Sequence, residues 1–152
     1  FVADHKDVAI LWYNIATCCL EMGEEETAIK LYKETLRVER KVLGERHNDV
    51  VLTLQHLGQV HQQRGELEEA LGYFYRALDI EREKKGSIAV GKLLNLIGNI
   101  HLQHAKVDKM MECYTEASRI FRRRGQQGDV LVVAGYNFYD LSKLHPACAA
   151  IA

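Results

Sequence analysis

Four carboxamides, Gln55, Gln59, Asn95 and Asn99, carry the chemistry in this sequence best suited to recognition. Each offers a pair of N–H donors and a carbonyl acceptor, which suits the alternating N–H and C=O groups of a peptide backbone. Tyr13, Tyr136 and Tyr139 add flat rings for apolar contact with such a chain. The histidines read differently. His61 and His101 recur 40 residues apart, and a metal site would need further ligands at suitable spacing. They are expected on the packed face, stacking between repeating units. His101 and His104 stand three apart on a helix, but no nearby Glu or Cys completes a ligand motif. Cys18 and Cys19 are adjacent and point in different directions from a helix, so the expectation for both is packing rather than a metal or a disulfide. There is no Gly-rich phosphate loop, nucleophile elbow or HExxH, and the carboxylates sit at spacings that favour pairing with Lys or Arg. The reading is a non-enzyme with no cofactor and no metal.

These side chains must be positioned by helices. The 152 residues contain 47% apolar and 27% charged side chains and a single proline, Pro146, a composition that fits one nearly all-helical globular domain with a core. A formal net charge of -1 gives no general attraction to nucleic acid or to anionic membranes. No run approaches the roughly 20 apolar residues that span a bilayer. The start at Phe1 resembles no secretory signal and is not an initiator methionine, so a fragment of a longer chain is expected. Four cysteines without a metal or redox spacing point to a reducing, cytoplasmic-type compartment.

The organising feature is repetition. His5-Lys6-Asp7-Val8 lies 42 positions before His47-Asn48-Asp49-Val50, and the same offset links Trp12 to Leu54, Ala16 to Gly58, Gly23 to Gly65, Ala28 to Ala70, Tyr32 to Phe74, Leu36 to Leu78 and Glu39-Arg40 to Glu81-Arg82. A shared offset over so many positions is the mark of a structural repeat. Within one unit, Leu54, Leu57, Gly58 and His61 share one helical face, and Ala70, Phe74, Ala77 and Leu78 share another. The third unit follows at 40, with Leu94, Ile97, Gly98 and His101, then Met110, Tyr114 and Ala117. Ala105 stands there in place of a turn glycine, and the pair is expected to be spaced or angled differently. The repeats run about 5–46, 47–86 and 87–126 within a single domain, with a half-repeat over 128–144 and a short tail over 145–152. The predicted helices are 5–22, 25–42, 48–64, 67–85, 88–104, 107–124 and 129–144. Asn48 or Asp49 is the expected cap of the third, and Gly23 and Gly65 suit the breaks within pairs.

Small residues at Ala16, Gly58 and Gly98, matched by Ala28 and Ala70 and followed by Tyr32, Phe74 and Tyr114, resemble the tetratricopeptide repeat pattern. The long unit and the junction VLGERHNDV are similar to kinesin light chain repeats, with Lys6 and Asn48 in place of that family's proline. The resemblance implies an all-α fold, an α-solenoid of antiparallel helix pairs winding as a right-handed superhelix. Its concave groove is lined by the first helix of each pair and holds an extended or helical peptide. Carried over by register, the groove residues are Tyr13, Asn14 and Thr17, then Gln55, His56, Gln59 and Gln62, then Lys92, Asn95, Asn99 and Gln103, and Tyr139 in the half-repeat, with Ile10 and Leu52 alongside. Of the positions where related chaperone-binding repeats clamp a terminal carboxylate, only Lys92 fits, since Tyr13, Thr17, His56 and Leu96 hold the others.

The resulting expectation is an adaptor or scaffold that binds a protein or peptide ligand, acidic toward Lys92, with no specific nucleic acid and no membrane insertion. Two alternatives stand beside it. One is a spacer that forms a homo-oligomer through its uncapped C-terminal half-repeat, using Phe138, Leu141 and Ile151. The other is a regulatory module attached to an enzyme elsewhere in a longer chain. Glu24-Glu25-Glu26 and Arg122-Arg123-Arg124 read first as charges matched to helix ends. With Lys106, Lys109 and Arg119, the arginine run also makes the third repeat basic enough for an acidic contact or weak phosphate binding.

Overall fold

The computed structural model describes residues 5–123 and the strand residues 132–133 and 136–137. Six helices follow one another: α1 (Lys6–Glu21), α2 (Glu25–Leu43), α3 (Asn48–Gln63), α4 (Leu67–Arg82), α5 (Ile88–Gln103) and α6 (Val107–Arg123). Each begins and ends within a few residues of the boundaries that spacing predicts. The helices group into two compact units divided inside α4, between Ile80 and Glu81. The first holds α1, α2, α3 and most of α4; the second holds the end of α4, then α5 and α6.

Helices form antiparallel pairs because the breaks within them are one tight turn long. Gly23 and Gly65 take positive φ of 81° and 76°. In each turn two backbone N–H groups bond back to the helix end, Gly23 to Leu20 and Glu24 to Cys19, and Gly65 to Gln62 and Glu66 to His61. This double closure is the Schellman arrangement, which satisfies carbonyls a helix end leaves open. Ala105 adopts the same turn, with φ of 55° and bonds from Ala105 N–H to Leu102 and from Lys106 N–H to His101. Alanine thus builds the same turn as the two glycines. The repeat imposes its turn on a residue that bears a left-handed cost of roughly 1 kcal/mol.

Helix starts correct one expectation. His47, not Asn48 or Asp49, caps α3, its ring Nδ1 accepting from the Asp49 N–H at 3.2 Å, and His5 caps α1 in the same way from Asp7 at 3.1 Å. A neutral imidazole accepts at its unprotonated nitrogen much as a Ser or Asp oxygen does.

The core is built from the predicted faces. Leu54, Leu57, Ala70, Phe74 and Ala77 have no exposed surface, nor have Ile97, Met110 and Tyr114. Close approach is set by the small residues. A β-carbon on Gly58 would lie 2.6 Å from the Phe74 ring, and one on Gly98 2.5 Å from the Tyr114 ring.

The seventh helix expected over 129–144 is contradicted at the four residues described there. Val132–Val133 and Tyr136–Asn137 form two short antiparallel strands, with Val133 opposite Tyr136. Valines favour the pleated conformation. Tyr139, Lys143, His145-Pro146 and the proposed self-association residues Phe138, Leu141 and Ile151 lie outside the described residues.

Candidate functional site

In the first unit, α1 and α3 meet through rings on the predicted peptide face. Tyr13 and His56 pack edge to face with centroids 5.3 Å apart. Both contact Tyr32 of α2 at 5.6 Å, Tyr13 edge-on and His56 stacked. Thr17 ties this cluster down, its hydroxyl 3.0 Å from the Tyr32 hydroxyl and donating to the Tyr13 carbonyl. Burial lowers the His56 pKa and raises those of Tyr13 and Tyr32, so the cluster presents a neutral imidazole and protonated phenols. Around it, Ile10 and Leu52 are about half exposed, Asn14 is exposed, and Gln55, Gln59 and Gln62 are partly buried.

In the second unit, Lys92 and Gln103 are exposed along α5, with Asn95 and Asn99 partly buried between them. Asn99 is committed to its own fold. Its carboxamide oxygen accepts from the buried Tyr114 hydroxyl at 2.6 Å. The same relation recurs fifteen residues apart in the first pair, between Thr17 and Tyr32. In the middle pair the ring is Phe74, which has no hydroxyl to offer Gln59. Replacing Tyr114 by phenylalanine should therefore keep the packing and cost about 1 kcal/mol, the net worth of one hydrogen bond. Urea unfolding of Tyr114→Phe beside the wild type measures it.

Tyr32 was not among the residues expected on this face, although its place on the packed stripe of α2 one helix away was the available signal. His61 departs from the expected stacking between repeats. Its ring stacks on Tyr73 of the same pair at 5.4 Å and bonds to Glu66, which Arg64 also holds at 2.8 Å. These partners pull the Glu66 carboxyl below its ordinary range, His61 first and Arg64 second. Cys19 is buried but Cys18 is exposed, so the packing role extends only to the first. Among the described residues no cluster of His, Cys, Asp or Glu could hold a metal, and no helix is long and apolar enough to cross a membrane.

The basic third repeat borders a cavity of about 250 Å³ lined by Arg82, Lys84, Ser87, Val90, Ile120 and Arg123 among others. Arg82 is bound to Glu116 at 3.0 Å and Lys84 to Glu81 at 2.6 Å. These pairings cancel much of the positive charge that would attract an anion.

Helix pairs on a 40–42-residue period, small residues at the crossing and one recurrent turn define a repeat protein of tetratricopeptide type. The tetratricopeptide repeat family profile matches residues 7–83, and the chain belongs to that family. Its repeats are of the kinesin light chain kind. Protein KINESIN LIGHT CHAIN-RELATED 2 of Arabidopsis thaliana is 32% identical over 117 residues, covering 74% of this chain and 18% of the relative. KINESIN LIGHT CHAIN-RELATED 3 of the same plant is 31% identical over 134 residues, covering 85% and 21%. This chain thus spans about a fifth of the length of these relatives. Among solved structures, BtubC (BKLC) from P. vanneervenii superposes with a TM-score of 0.76 at 20% identity, covering 81% of this chain and 50% of that one. The fold is one typical of protein-interaction modules.

Proposed function

We propose that the chain is an adaptor segment that captures a peptide of a partner protein on the first-helix face of its repeats. The observation that carries this reading is the ring contact between Tyr13 and His56. It joins α1 and α3 into one surface with half-exposed Ile10 and Leu52 beside it. In this reading Gln55 and Gln59 bond the ligand backbone and supply affinity, while the aromatic cluster and its apolar neighbours select side chains. The framework changes little on binding, because Thr17 and Tyr32 already fix the rings. In the second unit, taken by itself, exposed Lys92 of α5 favours an acidic side chain. The setting is a reducing, cytoplasmic-type compartment.

A peptide array probed with the wild type, with Tyr13→Ala and with Gln55→Ala/Gln59→Ala tests the assignment. Both variants should retain helical content by circular dichroism and lose at least tenfold in affinity, about 1.4 kcal/mol, for peptides the wild type selects. Unchanged binding by both would remove this face from the function. Of the sites on α5, Asn99 is the weakest candidate for a ligand contact, since Tyr114 already occupies its oxygen.

A further inference from the structure

The turn from α4 to α5 reads Lys84-Lys85-Gly86-Ser87-Ile88. It sets two cations three and two residues before a serine, with a large apolar side chain directly after it. Protein kinases with acidic substrate clefts select their serines by this pattern of charge. No other serine or threonine of the sequence has a cation three residues before it. The turn lies at the surface: Arg82, Glu83, Lys85 and Gly86 are exposed, and Ser87 is partly so.

The surroundings suit the group that phosphorylation adds. Ser87 is the N-cap residue of α5, yet its side chain makes no cap bond; the hydroxyl donates to Glu81 at 2.5 Å. The N–H groups of the first turn of α5 thus receive nothing from the Ser87 side chain, and a helix start favours a phosphate. Counted from α4, the 42-residue offset puts Glu45 in the place of Ser87 and Arg40 in that of Arg82. Glu45 pairs with Arg40 at 3.0 Å, so the first repeat already holds an anion at this position on that arginine. Arg82 and Arg123 both line the cavity beside Ser87. Arg82 is paired to Glu116, but the two side chains are 49% and 43% exposed, and such a surface pair is weakly held. A diffusing anion must compete for these cations from solution. A phosphate on Ser87 competes from within the chain, at the effective concentration of a tethered group.

We propose that Ser87 is the acceptor of a protein kinase selective for basic substrates, and that its phosphate is held by Arg82 and the first turn of α5. In the transfer the Ser87 oxygen attacks the γ-phosphorus of ATP. The new O–P bond forms as the bond to the bridging oxygen breaks, ADP leaves with that electron pair, and the serine proton passes to the catalytic carboxylate of the kinase. The phosphoester has no proton to donate to Glu81. Phosphorylation therefore also opens the contact between Ser87 and the buried Glu81, which keeps Lys84 as its partner.

The test incubates the whole folded chain with ATP and the catalytic subunit of cyclic-AMP-dependent protein kinase, and maps the product by peptide mass. Phosphate should appear on Ser87 and be lost in Ser87→Ala. Lys85→Ala, at an exposed position, should lower kcat/KM by about tenfold while helical content stays unchanged. A casein kinase, which selects acidic surroundings, should leave Ser87 unmodified. Followed by phosphorus NMR, the phosphate should titrate below the value of about 6 of an ordinary phosphoserine. Arg82→Gln should move it back toward that value. Phosphate on another residue, modification of Ser87 only after denaturation, or Lys85→Ala modified as fast as the wild type would overturn Ser87 as the kinase's site. A phosphorus titration unaltered by Arg82→Gln would overturn the seat assigned to the phosphate.

Discussion

Gly98→Ala should lower the stability of the chain by about 2 kcal/mol, although alanine is the better helix former. In an exposed helix the exchange would gain up to about 1 kcal/mol. Here the added carbon lands 2.5 Å from the ring of Tyr114, which is fully buried and held at its hydroxyl by Asn99. The ring cannot retreat without breaking that bond or opening the α5–α6 packing. Overfilling a close-packed core costs about 1–3 kcal/mol, and a rigid ring met nearly head-on belongs at the upper end. Gly58→Ala should behave alike, with the Phe74 ring 2.6 Å from the new carbon. Ala16→Gly is the informative control. The first pair already accepts a methyl group there, with Ala16 fully buried, so this change should cost only the glycine penalty of roughly 1 kcal/mol. Urea unfolding of the three variants separates the effects. Gly58→Ala and Gly98→Ala variants as stable as the wild type would show that these crossings are looser than the distances imply.

Those glycines were legible in the sequence because the repeat places a small residue there three times, as Ala16, Gly58 and Gly98. The helices, their boundaries and the buried faces were legible for the same reason: apolar spacing at 3.6 residues is repeated at a fixed offset, so each unit corroborates the next. Where a unit departs from its neighbours, a single residue says less: Ala105 takes the turn of Gly23 and Gly65, because the two helices it must join set that turn. Gly91 carries no such signal, because Ala9 and Val51 hold its place in the other units; its missing side chain makes room for Phe121, whose ring would lie 2.9 Å from a β-carbon there. The peptide face was legible as a set of positions but not as a set of available groups. Whether Asn99 or Thr17 is free for a ligand depends on a tyrosine hydroxyl arriving from the second helix, at Tyr114 and Tyr32 but not at Phe74.

Glu39 is the other place where neighbouring repeats diverge, and it yields a pH-dependent prediction. It falls on the buried stripe of α2 that also holds Tyr32, Thr35 and Leu36. Its repeat equivalent, Glu81, is equally buried but satisfied, with Lys84 at 2.6 Å and the Ser87 hydroxyl at 2.5 Å. The first repeat places Val42 and Glu45 at those two positions, so Glu39 gains neither partner. One of its oxygens has no hydrogen-bond partner. Burial pushes its pKa up to about 7, aided by the Asp49 carboxylate and opposed by the Thr53 hydroxyl. In the unfolded chain the ordinary value is 4.5. Between these two values the folded state binds the extra proton, so stability falls as pH rises through the window. Below pH 4.5 both states are protonated and the group no longer matters. Above pH 7 the fold carries the full penalty of a buried, poorly paired carboxylate, about 3 kcal/mol at 1.36 kcal/mol per pKa unit. Glu39→Gln keeps the shape and removes the charge. It should leave stability nearly unchanged at pH 4 and raise it by up to about 3 kcal/mol at pH 8. Urea midpoints of both proteins across that range would show the difference opening between the two pKa values. Parallel profiles would mean that Glu39 is ionised in the fold, with its charge met by solvent that the packing against α3 should exclude.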